Sequence, residues 1–63
     1  MISSTRHDDG VVEVVVDHPP VNALPVQGWF DLAEAVAAAG RDLSTRAVVL
    51  RAEGRGFNAG VDI

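Results

Sequence analysis

The sequence predicts an α/β fold with the element order β-β-α-β. Three observations predict it: a nearly unbroken valine run over 11–17, a helical apolar period over 26–39, and a second apolar run over 46–52. A strand, a helix and another strand in this span read as a right-handed crossover that joins two parallel strands.

Each element has its own signal. Residues 2–7 are polar and partly β-branched, and Asp8-Asp9-Gly10 marks a turn, so a hairpin from 2–7 to 11–17 is expected. In Val11-Val12-Glu13-Val14-Val15-Val16-Asp17 a single glutamate interrupts the valines. That pattern suits a strand buried on most of both faces, with Glu13 near an end or edge. His18-Pro19-Pro20 ends the strand, because neither proline can donate a ladder hydrogen bond. Val21-Asn22-Ala23-Leu24 is a short connection, and Pro25 suits the first turn of a helix. Trp29, Leu32, Ala33, Val36 and Ala37 then recur at i, i+3, i+4, i+7 and i+8, forming one apolar face. Gln27, Asp31 and Glu34 point elsewhere, the acids suiting the positive end of the helix, and Gly40 provides a left-handed stop. After the loop 41–45, Arg46 to Ala52 forms a second buried strand.

The totals exclude several classes. A chain of 63 residues buries only about 60% of its extended surface, so its stability margin is thin. There is no cysteine, which closes the disulfide and thiolate–zinc routes, and two histidines are too few for a metal cage. With 48% apolar and 22% charged residues the composition is not that of a disordered tail. Nine acids oppose five arginines and no lysine, and a net charge of −4 speaks against a nucleic-acid surface. No apolar run has the length of a membrane helix, and the first seven residues lack the apolar middle of a signal peptide, so a cytoplasmic location is expected. Residues 1–63 are expected to form part of one domain, continued beyond residue 63.

The loop after the second apolar run carries the chemistry. Gly54, Gly56 and Gly60 fall within seven positions, where the backbone takes conformations or contacts that a side chain forbids. A dinucleotide loop is one reading, but G-x-G-x-x-x-G is one residue longer than the usual spacing and follows a complete β-α-β. Plain turn chemistry is a second reading. A third is an anion hole, in which a backbone N–H beside Ala59 and Gly60 holds an oxygen that gains negative charge, with Asp62 capping a following helix. Spacing alone leaves the second and third open.

The motifs taken together go further. Pro20-Val21-Asn22-Ala23-Leu24, the helix, Arg46-Ala47-Val48-Val49-Leu50 and Gly54-Arg55-Gly56-Phe57-Asn58-Ala59-Gly60-Val61-Asp62-Ile63 resemble the amino-terminal part of the enoyl-CoA hydratase/isomerase, or crotonase, family. The family pattern is P-x-N-A-L, a helix, R-A-V-V-L, and G-x-x-F-x-A-G-x-D followed by Leu or Ile; the match covers residues 10–63. The resemblance implies a crotonase-type spiral of ββα repeats, usually assembled as a homotrimer or homohexamer. It implies an acyl-CoA hydratase, isomerase or hydrolase, of the kind used in fatty-acid β-oxidation, with a coenzyme A thioester as substrate and no further cofactor.

It also implies roles for residues. The residue after the Ala-Gly pair, here Val61, supplies the first of two backbone N–H donors of an oxyanion hole. The second donor and the acid/base carboxylates lie beyond residue 63, so this stretch alone is expected to be inactive. Backbone around Ala59, Gly60, Val61, Asp62 and Ile63 would meet the adenine and thioester ends of CoA, and Asn22-Ala23-Leu24 would lie along the pantetheine. Pro25 stands where many relatives have serine, Val61 where alanine is common, and Asn58 where cysteine or serine is common. Asn58 with Val61, and Trp29-Phe30-Asp31-Leu32, resemble actinobacterial members linked to steroid-ring breakdown. Other residues have plain readings: Trp29 in the core, His18 at a surface strand end, Glu13 and Glu53 solvated with Glu53 able to orient Arg55, Asp62 a loop-holding residue, Arg51 and Arg55 at the surface.

Overall fold

The structure is a computed structural model that describes residues 1–62. The elements are β1 (Ile2–Arg6), β2 (Val11–Val16), α1 (Val26–Arg41) and β3 (Ala47–Ala52). They form one mixed sheet in the order β1-β2-β3, with β1 antiparallel and β3 parallel to β2. The β-β-α-β order and the parallel pair match the expectation.

The hairpin turn explains itself. His7 N–H donates to Val11 O at 2.8 Å and Gly10 N–H to His7 O at 3.2 Å. Gly10 has φ +86, and a Cβ there would lie 2.8 Å from Arg46 Cγ and 2.9 Å from Ser44 O. Only glycine lets β1–β2 approach the start of β3 this closely, where Arg46 N–H reaches Gly10 O at 2.8 Å.

The helix lies on one face of the sheet. Val12, Val14 and Val16 are buried, and the core cluster of Val12, Val14 and Ala39 is extended by Ile2, Leu32 and Ala35. The period of two in β2 therefore meets Leu32, Ala35 and Ala39 of α1. This corrects the expected helix face: Leu32 belongs to it, but Ala33, Val36 and Ala37 do not join the core cluster, and Val36 is 40% exposed. Gly40 is not a stop either, since the helix runs through it to Arg41 and Asp42 is the C-cap. No acid lies in the first turn, because α1 begins at Val26 and Asp31 is more than a turn further on.

Two burial expectations also change. β2 is buried on the helix face only, and Glu13 stands in its middle on the open face, beside Thr5 and Val49. β3 is an edge strand whose Val48, Val49 and Leu50 are all exposed, not a buried one. Its apolar run still sets the register, pairing Val48 with Val12 and Leu50 with Val14 on the helix side.

Candidate functional site

The site forms where the carboxyl ends of β2 and β3 lead into their loops, the end at which α/β sheets take ligands. The chain leaves β2 through Pro19-Pro20, joined by a cis bond, and turns at Asn22. Asn22 has φ +58, a left-handed conformation that asparagine tolerates better than most residues. Its relative exposure is only 2%, and its polar groups are used within the chain. Its N–H donates to His18 O at 2.8 Å, and its Oδ1 accepts from His18 N–H at 2.6 Å. Its Nδ2 donates to Glu53 O and to Gly56 O, both at 2.8 Å. Asn22 thus fastens the β2 exit to the glycine-rich loop, replacing ladder bonds that an irregular buried backbone would otherwise lose.

Asn58 completes the clasp from the other side. Its Nδ2 donates to Asn22 O at 2.6 Å, and its Oδ1 accepts from Gly60 N–H at 2.9 Å. The second bond is the local turn typical of asparagine two residues before its partner. The Asn-x-Gly spacing at 58–60 carries that signal in the sequence, although the family resemblance assigns Asn58 no role.

Beyond Gly60 the chain pairs with the 22–24 turn. Leu24 and Val61 form an isolated parallel bridge in which Leu24 N–H donates to Gly60 O at 2.9 Å and Asp62 N–H to Leu24 O at 2.8 Å. In a parallel bridge of this kind the partner's two neighbours make the bonds, so Val61's own N–H and C=O are turned to the opposite side. Among the described residues Val61 N–H makes no hydrogen bond. Val61 is half exposed, whereas Leu24 is buried and anchors the pair with both backbone groups engaged. Gly60 has φ +104, and a Cβ there would meet nothing within 4 Å, so conformation rather than space demands glycine.

The expected site residues therefore separate by role. Asn22 and Leu24 build the frame, Ala23 bridges them, and Ala59, Gly60, Val61 and Asp62 run along its open side. Ile63 lies outside the described residues. Asp62 holds the loop through its N–H, and the helix it is expected to cap would lie outside the described residues. No helix opens at Gly54 or Gly56, the geometry on which a dinucleotide loop depends.

Trp29 lies under the loop. With Val16, Leu32, Leu50, Phe57 and Asn58 it lines an apolar cavity of about 340 Å³, and its buried Nε1 has no partner among the described residues. Glu53 does not orient Arg55; it pairs with Arg51 at 2.9 Å. Arg51 also contacts Glu13, which His7 meets at 3.0 Å, making a charged row on the open sheet face. The Arg51 guanidinium, followed by His7, holds the Glu13 carboxyl below the ordinary carboxylate range, and Arg51 is raised by Glu13 and then Glu53. Among the described residues no cluster of three metal-ligating side chains occurs, and no helix is long and apolar enough to cross a membrane.

No family model matches the chain. A (7aS)-7a-methyl-1,5-dioxo-2,3,5,6,7,7a-hexahydro-1H-indene-carboxyl-CoA hydrolase from Mycobacterium tuberculosis (strain ATCC 25618 / H37Rv) is 68% identical over 62 residues, covering 98% of this chain and 25% of the relative. The protein of the same name from Rhodococcus jostii (strain RHA1) is 64% identical over 62 residues, covering 98% and 24%. The chain thus spans about a quarter of the length of these relatives. A crystal structure from Mycobacterium abscessus, described as a putative enoyl-CoA hydratase/isomerase, superposes with a TM-score of 0.92 at 36% identity, over 100% of this chain and 25% of that one. Sequence likeness and backbone likeness agree: the chain belongs to the enoyl-CoA hydratase/isomerase (crotonase) family and has the fold of its amino-terminal portion.

Proposed function

We propose that these residues supply the first backbone donor of an oxyanion hole in an enzyme acting on acyl-CoA thioesters. The observation that carries this reading is Val61 N–H, unpaired among the described residues while Gly60 C=O of its own peptide and Asp62 N–H of the next one are bonded to Leu24. A donor fixed in this way stabilises a thioester oxygen as it gains charge, with no reorganisation at the moment of reaction. Ala59, Asp62 and Ile63 would follow the CoA moiety, and the 22–24 turn would support the pantetheine. The coenzyme A thioester is the substrate, and no further cofactor is invoked.

The substrate proposed is a methyl-dioxo-hexahydroindene carboxyl-CoA, a bicyclic fragment of steroid-ring breakdown, and the reaction hydrolytic rather than hydratase or isomerase chemistry. Support comes from the names of the two relatives that are 68% and 64% identical. The whole protein is proposed to work in the cytoplasm as a homotrimer or homohexamer; the exposed Val48, Val49 and Leu50 are the kind of surface that further chain or a partner covers.

The test is to offer the bicyclic thioester and crotonyl-CoA to the complete protein that carries this sequence. Consumption of the bicycle with uptake of water, and little hydration of crotonyl-CoA, is expected. Rapid crotonyl-CoA hydration with an inert bicycle would move the protein to the hydratases. Residues 1–63 alone are expected to turn over neither, since one donor without acid/base groups leaves most of the barrier in place.

A further inference from the structure

We infer that Asn58 is a positioning residue for the Val61 donor, acting through Gly60. This rests on the oxyanion reading above and names a side chain on which it depends. Three peptide groups fix the direction of Val61 N–H. Gly60 C=O and Asp62 N–H are held by Leu24, at 2.9 and 2.8 Å. The third, Gly60 N–H, is held by Asn58 Oδ1 at 2.9 Å. Gly60 is the flexible link, because φ +104 in a glycine is bounded by no side chain, and open space surrounds its Cα. Without Asn58 the Ala59–Gly60 peptide loses this tie, and the turn about Gly60 is held from the Leu24 side only.

The amide is itself anchored at its other end. Asn58 Nδ2 reaches Asn22 O at 2.6 Å, and Asn22 is enclosed and tied to Glu53 O and Gly56 O. The two asparagines therefore connect the donor to the buried β2 exit, although Asn58 itself is exposed and adds little to the core. A hydroxyl at position 58 is able to accept from the N–H two residues on, but is too short to do so while also reaching Asn22. Serine should thus keep part of the effect and alanine none of it.

The test compares Asn58→Ala and Asn58→Ser in the complete protein, each with Val61 intact and with Val61 replaced by its α-hydroxy analogue, which deletes the donor. With the donor present, Asn58→Ala should lower kcat by about tenfold to a hundredfold, the scale of misplacing one catalytic contact, with KM little changed. Asn58→Ser should recover part of the loss. With the donor deleted, neither substitution should lower kcat further, because coupled groups are not additive. Independently of any substrate, the Gly60 amide should exchange hydrogen at least about tenfold faster in Asn58→Ala than in the parent at similar global stability. An unchanged kcat, an equal loss with the donor already deleted, or an unchanged Gly60 exchange rate would overturn the inference. If deleting the donor costs nothing in the parent protein, the oxyanion reading itself fails; if it costs activity and Asn58→Ala does not, only the role of Asn58 fails.

Discussion

The two ends of the parallel strand pair are closed by different means. At the amino end, side chains at the surface make the closure. Arg6 donates to Ser44 Oγ at 3.1 Å and Thr45 Oγ1 at 2.8 Å, and pairs with Asp42 at 3.0 Å. Asp42 in turn accepts from Ser44 N–H, which is the first cause of its carboxyl lying below the ordinary range. At the carboxyl end the ties run through enclosed amide groups of Asn22 and through main chain, and among the described residues Val61 N–H takes no part in them. The glycines repeat the contrast: Gly10 is needed because Arg46 and Ser44 crowd it, and Gly60 because of its φ in open space. One end is packed by crowded side chains, and the other is braced by amide and main-chain bonds.

This comparison can be broken by substitution in the complete protein. The largest loss of stability is expected from Asn22→Ala. It leaves Glu53 O, Gly56 O and His18 N–H without the Asn22 side chain, at a cost of about 2–4 kcal/mol if these groups stay dry. Chemical denaturation would show it as a lower midpoint at constant slope; a loss below about 0.5 kcal/mol would mean that Asn22 is not the brace. Gly10→Ala comes next, at roughly 1–3 kcal/mol, since it adds a contact at 2.8 Å to a backbone of φ +86. It should leave kcat alone, because it lies at the far end of the sheet.

The smallest effect concerns acid. Glu13 is lowered by Arg51 and His7, so its contribution is complete above the unfolded glutamate pKa of about 4.3 and is lost as pH falls through the lower folded value. Glu13→Gln should therefore reduce stability slightly at neutral pH and flatten the acid limb of a stability–pH curve. An unchanged acid limb would show that the charged row on the open face contributes nothing.

Much of the frame is legible from periodicity. The valine run of β2, the helix after Pro25 and the parallel return at 47–52 follow from local pattern, which the backbone obeys, although that run does not show that only one face of β2 is buried. Exposure is not legible, because Val48, Val49 and Leu50 state only that the strand is apolar and not what covers it. Gly40 misleads for a related reason: glycine permits a left-handed stop but does not impose one, and α1 continues to Arg41. At the site, Val61 is reached through family likeness, since a backbone donor leaves no trace in residue type. The resemblance sets Asn22 along the ligand, whereas the fold uses its side chain as the buried clasp. Its partner Asn58 escapes a sequence reading, because their bond spans 36 positions and only the local half, Asn58 to Gly60, has a sequence signature.

The central claim is that Val61 N–H is the donor, and replacing Val61 by its α-hydroxy analogue in the complete protein tests it most directly. The ester keeps the side chain and the Val61 C=O, removes an N–H with no acceptor among the described residues, and only weakens Gly60 C=O as the acceptor for Leu24. A folded protein whose kcat on its acyl-CoA substrate falls by about 10²–10³ is the predicted result. A kcat within about threefold of the parent, a change of less than about 1 kcal/mol in barrier, would contradict it.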